Sequence, residues 1–157
     1  MKAQLFSLEG ILSLTAFMIM LIFLLSFWNV LSARMIDAAT YQELQLQAAH
    51  VTDLLLSSPG FPPSWENNSA TVVTPGLMDY SHVLDPQKIT QFAALNYTTV
   101  KRAFNIERFE FRFELRDATG SVLNSLGQYP DEDDDAVVFK RLMLVNNQTR
   151  EVLVTLW

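Results

Sequence analysis

Hydrophobic and polar positions divide the chain into three stretches of different character. From Leu5 to Val30 it is almost wholly apolar, and from Gly10 to Val30 it holds neither a charged residue nor a proline. That is about the length an α-helix needs to cross the hydrocarbon core of a bilayer. A single carboxylate, Glu9, stands at the front of the run. Further on, Tyr41, Leu44, Ala48, Val51 and Leu55 recur at three- and four-residue steps, which predicts an amphipathic helix with one apolar stripe that another element must cover. Ser57-Ser58-Pro59-Gly60 ends it, because proline cannot continue the hydrogen-bond ladder and glycine relieves the backbone. Phe61-Pro62-Pro63-Ser64-Trp65 then reads as a stiff extended connector whose aromatics dock on the helix, without the P-x-x-P repeat of a proline-recognition ligand.

The third stretch mixes both periods. Asp85-Pro86 is a helix start, with Asp as cap and Pro in the first turn, and Asn96 caps a second short helix over Tyr97-Thr98-Thr99-Val100. From Arg108 to Arg116 the alternation is strict: Phe109, Phe111, Phe113 and Leu115 face one way, and Arg108, Glu110, Arg112, Glu114 and Arg116 the other. This predicts a strand with one buried and one wet face. Asp117-Ala118-Thr119-Gly120 turns the chain into a strand over 121–127, and Asn146-Asn147-Gln148-Thr149 joins strands over 137–145 and 150–157. The expected class is α+β: an antiparallel sheet of about four strands, with two short helices, wrapped against the amphipathic half of the long helix.

Length allows one small globular domain beyond the membrane and stalk segments of a 157-residue chain. The formal charge is −6, and the unbroken run from Asp131 to Asp135 supplies −5 of it. A basic stripe is absent, so nucleic acid is not an expected partner. With no cysteine there is neither a disulfide framework nor a thiolate metal site. Asp131, Asp133 and Asp135 offer hard oxygen ligands for Ca²⁺, but the run lacks the glycine and ligand spacing of an EF-hand loop and reads first as a solvated loop. His50 and His82 have no H-x-x-x-H or nucleophile-elbow pattern near them. The expectation is a chain without catalysis or cofactor.

Two weak signals agree on orientation, and an aromatic belt fits the span itself. Lys2 and the terminal amine precede the apolar run, while Arg34 beyond it is offset by Asp37, which favours a cytoplasmic N-terminus. Phe6 and Trp28 stand about one hydrocarbon thickness apart along a helix, as an interfacial belt would have them. Asn67-Asn68-Ser69, Asn96-Tyr97-Thr98 and Asn147-Gln148-Thr149 fit N-x-[ST], so Asn67, Asn96 and Asn147 are glycosylation candidates if this part lies outside. The run begins too close to Met1 for the basic leader of an ordinary secretory signal.

Lys2-Ala3-Gln4-Leu5-Phe6-Ser7-Leu8-Glu9, followed at once by the long hydrophobic helix, resembles the class III signal peptide of archaeal type IV pilin-like proteins. The Ser-Pro-Gly-x-Pro-x-x-Trp turn and the final strand ending in Trp157 are broadly similar to the same family. The resemblance implies a processing motif of Lys2, Ala3, Gln4, Ser7 and Glu9, a prepilin-type peptidase that clips the leader, and a role for Glu9 in subunit assembly. The family pattern reads Gln-x-Ser-x-Glu, whereas Leu5 and Phe6 both separate Gln4 from Ser7 here. Cleavage after Gln4 makes Glu9 the fifth mature residue, and cleavage after Ala3 shifts it by one. The implied organisation is a short basic leader at 1–4, a transmembrane helix at 5–31, an amphipathic stalk helix at 32–58 and an extracellular α+β head at 59–157. The implied partners are the membrane and other pilin-like subunits in a surface filament. The alternative is a single-pass membrane protein whose extracellular domain binds a ligand and never polymerises.

Overall fold

The computed structural model describes residues 2–157, with side chains from Leu8 onward. The side chains of Lys2, Ala3, Gln4 and Ser7 therefore lie outside the described residues. One unbroken helix, α1 (Lys2–Ser57), takes in both the apolar run and the amphipathic stretch. It contains no proline, so nothing interrupts its ladder between the two. The chain forms two compact units, Met1–Tyr41 and Gln42–Trp157. In the first, α1 stands alone, and its large apolar side chains from Leu8 to Ile36 are exposed all round. A helix that is hydrophobic on every face is of the kind that is buried, in a protein core or across a membrane.

The second unit builds its core on the last turns of α1. Leu44, Ala48, Val51 and Leu55 are buried as the stripe requires, while Tyr41, expected to lead it, remains 44% exposed. After Pro59 the chain reverses. Gly60 adopts φ +81°, and a Cβ there would lie 2.6 Å from the Trp65 indole nitrogen, so only glycine lets the turn close. Trp65 is fully buried and its Nε1 donates to the Gly76 carbonyl at 3.0 Å. Phe61, expected to dock beside it, is exposed instead: its backbone pairs with Thr74 and turns the ring outward.

Two short helices follow, with the expected caps. α2 (Pro86–Ala94) starts on Asp85, whose carboxylate accepts from the Gln87 amide at 2.7 Å. α3 (Tyr97–Ala103) starts on Asn96, which accepts from the Thr98 amide at 2.9 Å. Each cap satisfies an amide that the helix leaves without a partner. Phe92 of α2 meets Phe113 edge-on at a centroid distance of 5.2 Å, and Phe104 and Phe111 complete a buried aromatic cluster. Full burial contributes about 2–3 kcal/mol for such a side chain.

The sheet has six strands, against an expectation of about four. Its members are β1 (Met78–Tyr80), β2 (Val83–Leu84), β3 (Phe111–Arg116), β4 (Val122–Leu126), β5 (Val137–Val145) and β6 (Gln148–Leu156), in the order β1-β2-β5-β6-β3-β4. The four longer strands pair antiparallel as expected. The addition is β1–β2, which joins the edge where Val83 of β2 runs parallel to Leu144 of β5, making the sheet mixed. Strands of three and two residues carry no readable alternation, which is why the sequence did not announce them. Asn146 and Asn147 both take positive φ between β5 and β6, a two-residue turn of the type that matches hairpin twist.

The face of β3 expected to be wet is not. Arg112 is 8% exposed and Glu114 only 3%. Gly127 (φ +95°) turns the chain back so tightly that a Cβ would overlap the Phe111 carbonyl, and this brings Tyr129 over Arg112, with its ring centroid 3.4 Å from the guanidinium carbon. The strand also begins at Phe111 rather than Arg108. Phe109 precedes it in a turn closed by its amide on the Ile106 carbonyl.

Candidate functional site

The residues singled out by the sequence do not converge on one place. Glu9 is exposed on α1. It lies seven residues beyond Lys2, about two turns into the helix, where the favourable field of the helix N-terminus has faded. Beyond it the exposed surface from Gly10 to Met35 is largely apolar, with Arg34 the one charged side chain and small polar groups such as Thr15, whose hydroxyl donates back to the Ile11 carbonyl at 2.8 Å and so stays compatible with lipid. This segment is long and apolar enough to cross a membrane.

Asn67, Asn96 and Asn147 are all exposed. Their settings differ: Asn67 closes a single 3₁₀ turn, Asn96 is engaged as the α3 cap and also accepts from the Thr98 hydroxyl at 2.6 Å, and Asn147 holds a left-handed conformation in the β5–β6 turn. Asp131, Asp133 and Asp135 are exposed, and no group of three metal-type ligands occurs among the described residues. His50 and His82 are exposed too.

Two charged clusters lay beyond the sequence reading. On the outer face of β3, Glu114 sits between two guanidiniums: Arg112 Nε donates to one oxygen at 2.6 Å, Arg116 Nε to the other at 2.7 Å, and Arg112 Nη1 also donates to the Gly127 carbonyl at 2.7 Å. Burial alone would raise the Glu114 carboxyl, but hydrogen bonds from Arg112, Tyr129 and Arg116 outweigh it and hold the group below the usual carboxylate range. The opposite signs at two-residue steps were a signal for pairing. What they could not show is that Tyr129 covers the pair. The second cluster is Lys88, buried in α2, whose ammonium donates to the carbonyls of Pro59 at 2.9 Å and Met78 at 3.3 Å. Its position four residues before the buried Phe92, on the same helix face, was the available signal.

Beyond β3 the head carries a cleft of about 610 Å³ whose lining includes Tyr97, Tyr129, Trp157, Glu110, Asp131 and Asp134. One wall is internally satisfied. The Lys101 ammonium bonds Glu110 at 2.8 Å, and the Tyr97 hydroxyl donates to the same carboxylate at 2.7 Å. Those two hydrogen bonds, Lys101 first, hold Glu110 below its ordinary range. Burial first, and then the bond to Glu110, push Tyr97 up to about 12.

Comparisons with protein-family models, with curated proteins and with solved structures find no match for this chain.

Proposed function

We propose that this chain is a membrane-anchored, pilin-like subunit that assembles through α1 into a surface filament, with the N-terminus cytoplasmic and the head outside. The observation that carries the reading is the unbroken helix whose apolar side chains from Leu8 to Ile36 all stand exposed, with one carboxylate, Glu9, at their head. In lipid such a helix is only an anchor. The carboxylate gives a reason for more, because an ionisable group at the front of a membrane helix is costly unless it has a partner, and the freed amine of a neighbouring clipped subunit is one. On this reading a prepilin-type peptidase removes the leader, and the head is a structural domain rather than an enzyme. The test is the mass of the mature N-terminus together with the yield of sheared filaments from the native host. A leader lost before Leu5 or Gln4, with the chain in the filament fraction, is the expected result; an intact Met1 with no filament fraction rejects it.

The second reading, an anchored extracellular domain that binds a ligand and does not polymerise, draws on the cleft beside Trp157. It shares the anchor and the topology and differs in leaving α1 alone in the bilayer.

A further inference from the structure

β5 has an open edge that its place inside the sheet order conceals. In its two-residue hairpin with β6, the backbone groups of alternate residues from Val137 to Val145 turn toward β6, and those of Val138, Lys140, Leu142 and Leu144 turn away. Leu144 fixes the phase, since its amide donates to the His82 carbonyl at 3.1 Å where β2 begins. β2 reaches no further: its one register pair is Val83 with Leu144. The amides and carbonyls of Val138, Lys140 and Leu142 therefore face outward, bond no group among the described residues, and belong to exposed residues. A run of this length is a template for another strand unless it is guarded. The usual guard is a lysine, but Lys140 is drawn back over the sheet into an ion pair with Glu151. The far edge, β4, is short and carries a register shift opposite Leu115 and Arg116, a bulge that works against further pairing.

The strand that fits this edge is β5 of a second copy, run antiparallel about a two-fold axis. Three registers bring at least two of the outward residues Val138, Lys140 and Leu142 opposite one another. Centred on Lys140, the register sets Lys140 against itself; centred on Arg141, it sets Arg141 against itself at the closer, non-hydrogen-bonded spacing. Like charges directly opposite are unfavourable. Centred on Phe139, it sets the half-buried Phe139 against its twin, Lys140 against Val138 and Arg141 against Val137. The charges then complement one another. The acidic run 131–135 precedes the centre while Lys140 and Arg141 follow it, so each copy brings its acids to the other's bases, with Asp135 on the diagonal from Arg141. Arg141 is free to respond, because its own partner Asp53 is 3.8 Å away and both are exposed. A parallel pairing would set acid beside acid. The length fits as well: the partner strand opens at Val137, opposite Arg141, and its acidic turn leaves the edge before Leu144, where β2 takes over.

We propose that β5 is a self-docking edge: two copies pair antiparallel through residues 136–142 about Phe139 and continue the sheet from one head into the next. Such an axis stands perpendicular to the sheet and reverses every direction within it. The last turns of α1 share one buried core with the inner face of the sheet through Leu44, Ala48, Val51 and Leu55, and so lie along it. In the pair they arrive from opposite directions. The contact therefore joins copies anchored on two facing surfaces, not neighbours in one membrane. It is made between heads and holds whether or not α1 assembles into a filament.

The chain has no cysteine, so single cysteines report the register directly. In the full chain in detergent micelles, Phe139→Cys sets two thiols opposite each other across the axis, at a pair whose Cβ atoms stand about 4.5–5.5 Å apart. Val138→Cys and Leu142→Cys do not meet their twins. With copper phenanthroline as oxidant, Phe139→Cys should give disulfide-linked dimer at least tenfold above either neighbour. Arg141→Glu added to Phe139→Cys should cut that yield at least fivefold, and Asp135→Arg added to both should restore it to within twofold. Vesicles of neutral lipid carrying the wild-type chain should cluster, followed by light scattering, and vesicles carrying Arg141→Glu should stay dispersed; this arm stands even if Phe139→Cys does not fold. Equal cross-linking at the three positions, or a yield that ignores Arg141→Glu, means association through α1 alone and overturns the docking edge. Wild-type vesicles that stay dispersed overturn it too.

Discussion

The ammonium of Lys88 donates to the carbonyl of Pro59 at 2.9 Å, across twenty-nine residues of chain. Pro59 lies just beyond the end of α1, and Lys88 lies in the first half of α2, so this bond fixes where the chain leaves the long helix relative to the short one. A second bond, to the Met78 carbonyl, ties in the start of β1. A buried lysine costs free energy unless its donors are used, and two backbone carbonyls use them here.

Replacing Lys88 with methionine keeps the apolar stem and removes the donors. Two carbonyls then lose their partner inside the fold, at a cost of about 2 kcal/mol. The midpoint of thermal unfolding, followed by near-ultraviolet circular dichroism, should fall by about 4–8 °C. An unchanged midpoint would mean that water reaches those carbonyls and that the bond is not structural.

The stripe on α1 makes a sharper comparison, because buried and exposed positions alternate within one helix. Val51 is fully buried, whereas Leu46, five residues earlier, is 66% exposed. Aspartate at Val51 places an unpaired charge in the core and should cost more than about 3 kcal/mol, enough to abolish the cooperative transition or nearly so. Aspartate at Leu46 should change stability by less than about 0.5 kcal/mol. Equal effects at both sites would remove the stripe from the account of the core.

Much of this was legible before any coordinates. Leu44, Ala48, Val51 and Leu55 declare their face by spacing, and Asp85 and Asn96 declare helix starts because a short oxygen-bearing side chain there has an amide to satisfy. What stayed hidden depends on partners distant in sequence. Period two shows that Arg112 and Glu114 share a face but not that a turn at Gly127 lays Tyr129 over them. The parallel contact of β2 with β5 rests on one register pair, and no local pattern encodes it. Lys88 looks like a surface residue until the carbonyls it reaches are known. The cleft, likewise, gathers Tyr97, Tyr129 and Trp157 from three separate stretches.

Alkaline pH gives a test of the Tyr97–Glu110 contact. Tyr97 is held neutral up to about 12, by burial first and then by the bond to Glu110, whereas its ordinary value is 10.0. A group raised on folding contributes stability that is fully present below its unfolded value and is lost as pH rises through the folded one. Stability should therefore decline between pH 10 and about 12, and Tyr97→Phe should flatten that part of the profile. Glu110 and Glu114 work in the opposite sense: both are lowered, so their contribution is present above the ordinary carboxylate range and fades as acid protonates them in the fold. Glu114→Gln should reduce the acid-side slope without moving the alkaline one.

Topology is tested most simply from outside the cell. If residues from Arg34 onward are exterior, protease added to intact cells trims the head, and the exposed acidic loop at 131–135 is an accessible place for the first cut. Complete protection until lysis would overturn the orientation, and with it the use of Asn67, Asn96 and Asn147 as glycan acceptors outside the cell.

The assembly reading rests finally on Glu9. Within a bundle of helices like the 8–36 segment the surroundings are apolar side chains, and a clipped subunit would bring a charged amine among them. An uncompensated charge in that setting costs several kcal/mol, so the carboxylate of an adjacent subunit has a physical task there. Glu9→Gln keeps size and hydrogen-bonding capacity and removes only the charge. Insertion and folding should be intact, because Glu9 is exposed on the helix and belongs to a separate compact unit from the head. Removal of the leader should be largely kept as well. Incorporation should fail or slow severely: mature chains with the correct N-terminal mass accumulate in the membrane fraction while sheared filaments fall at least tenfold. Glu9→Asp keeps the charge on a shorter stem and should restore part of the yield. Filaments at normal yield from Glu9→Gln would leave the carboxylate as a headgroup-level residue with no part in pairing, and the anchored binding domain would then be the better account.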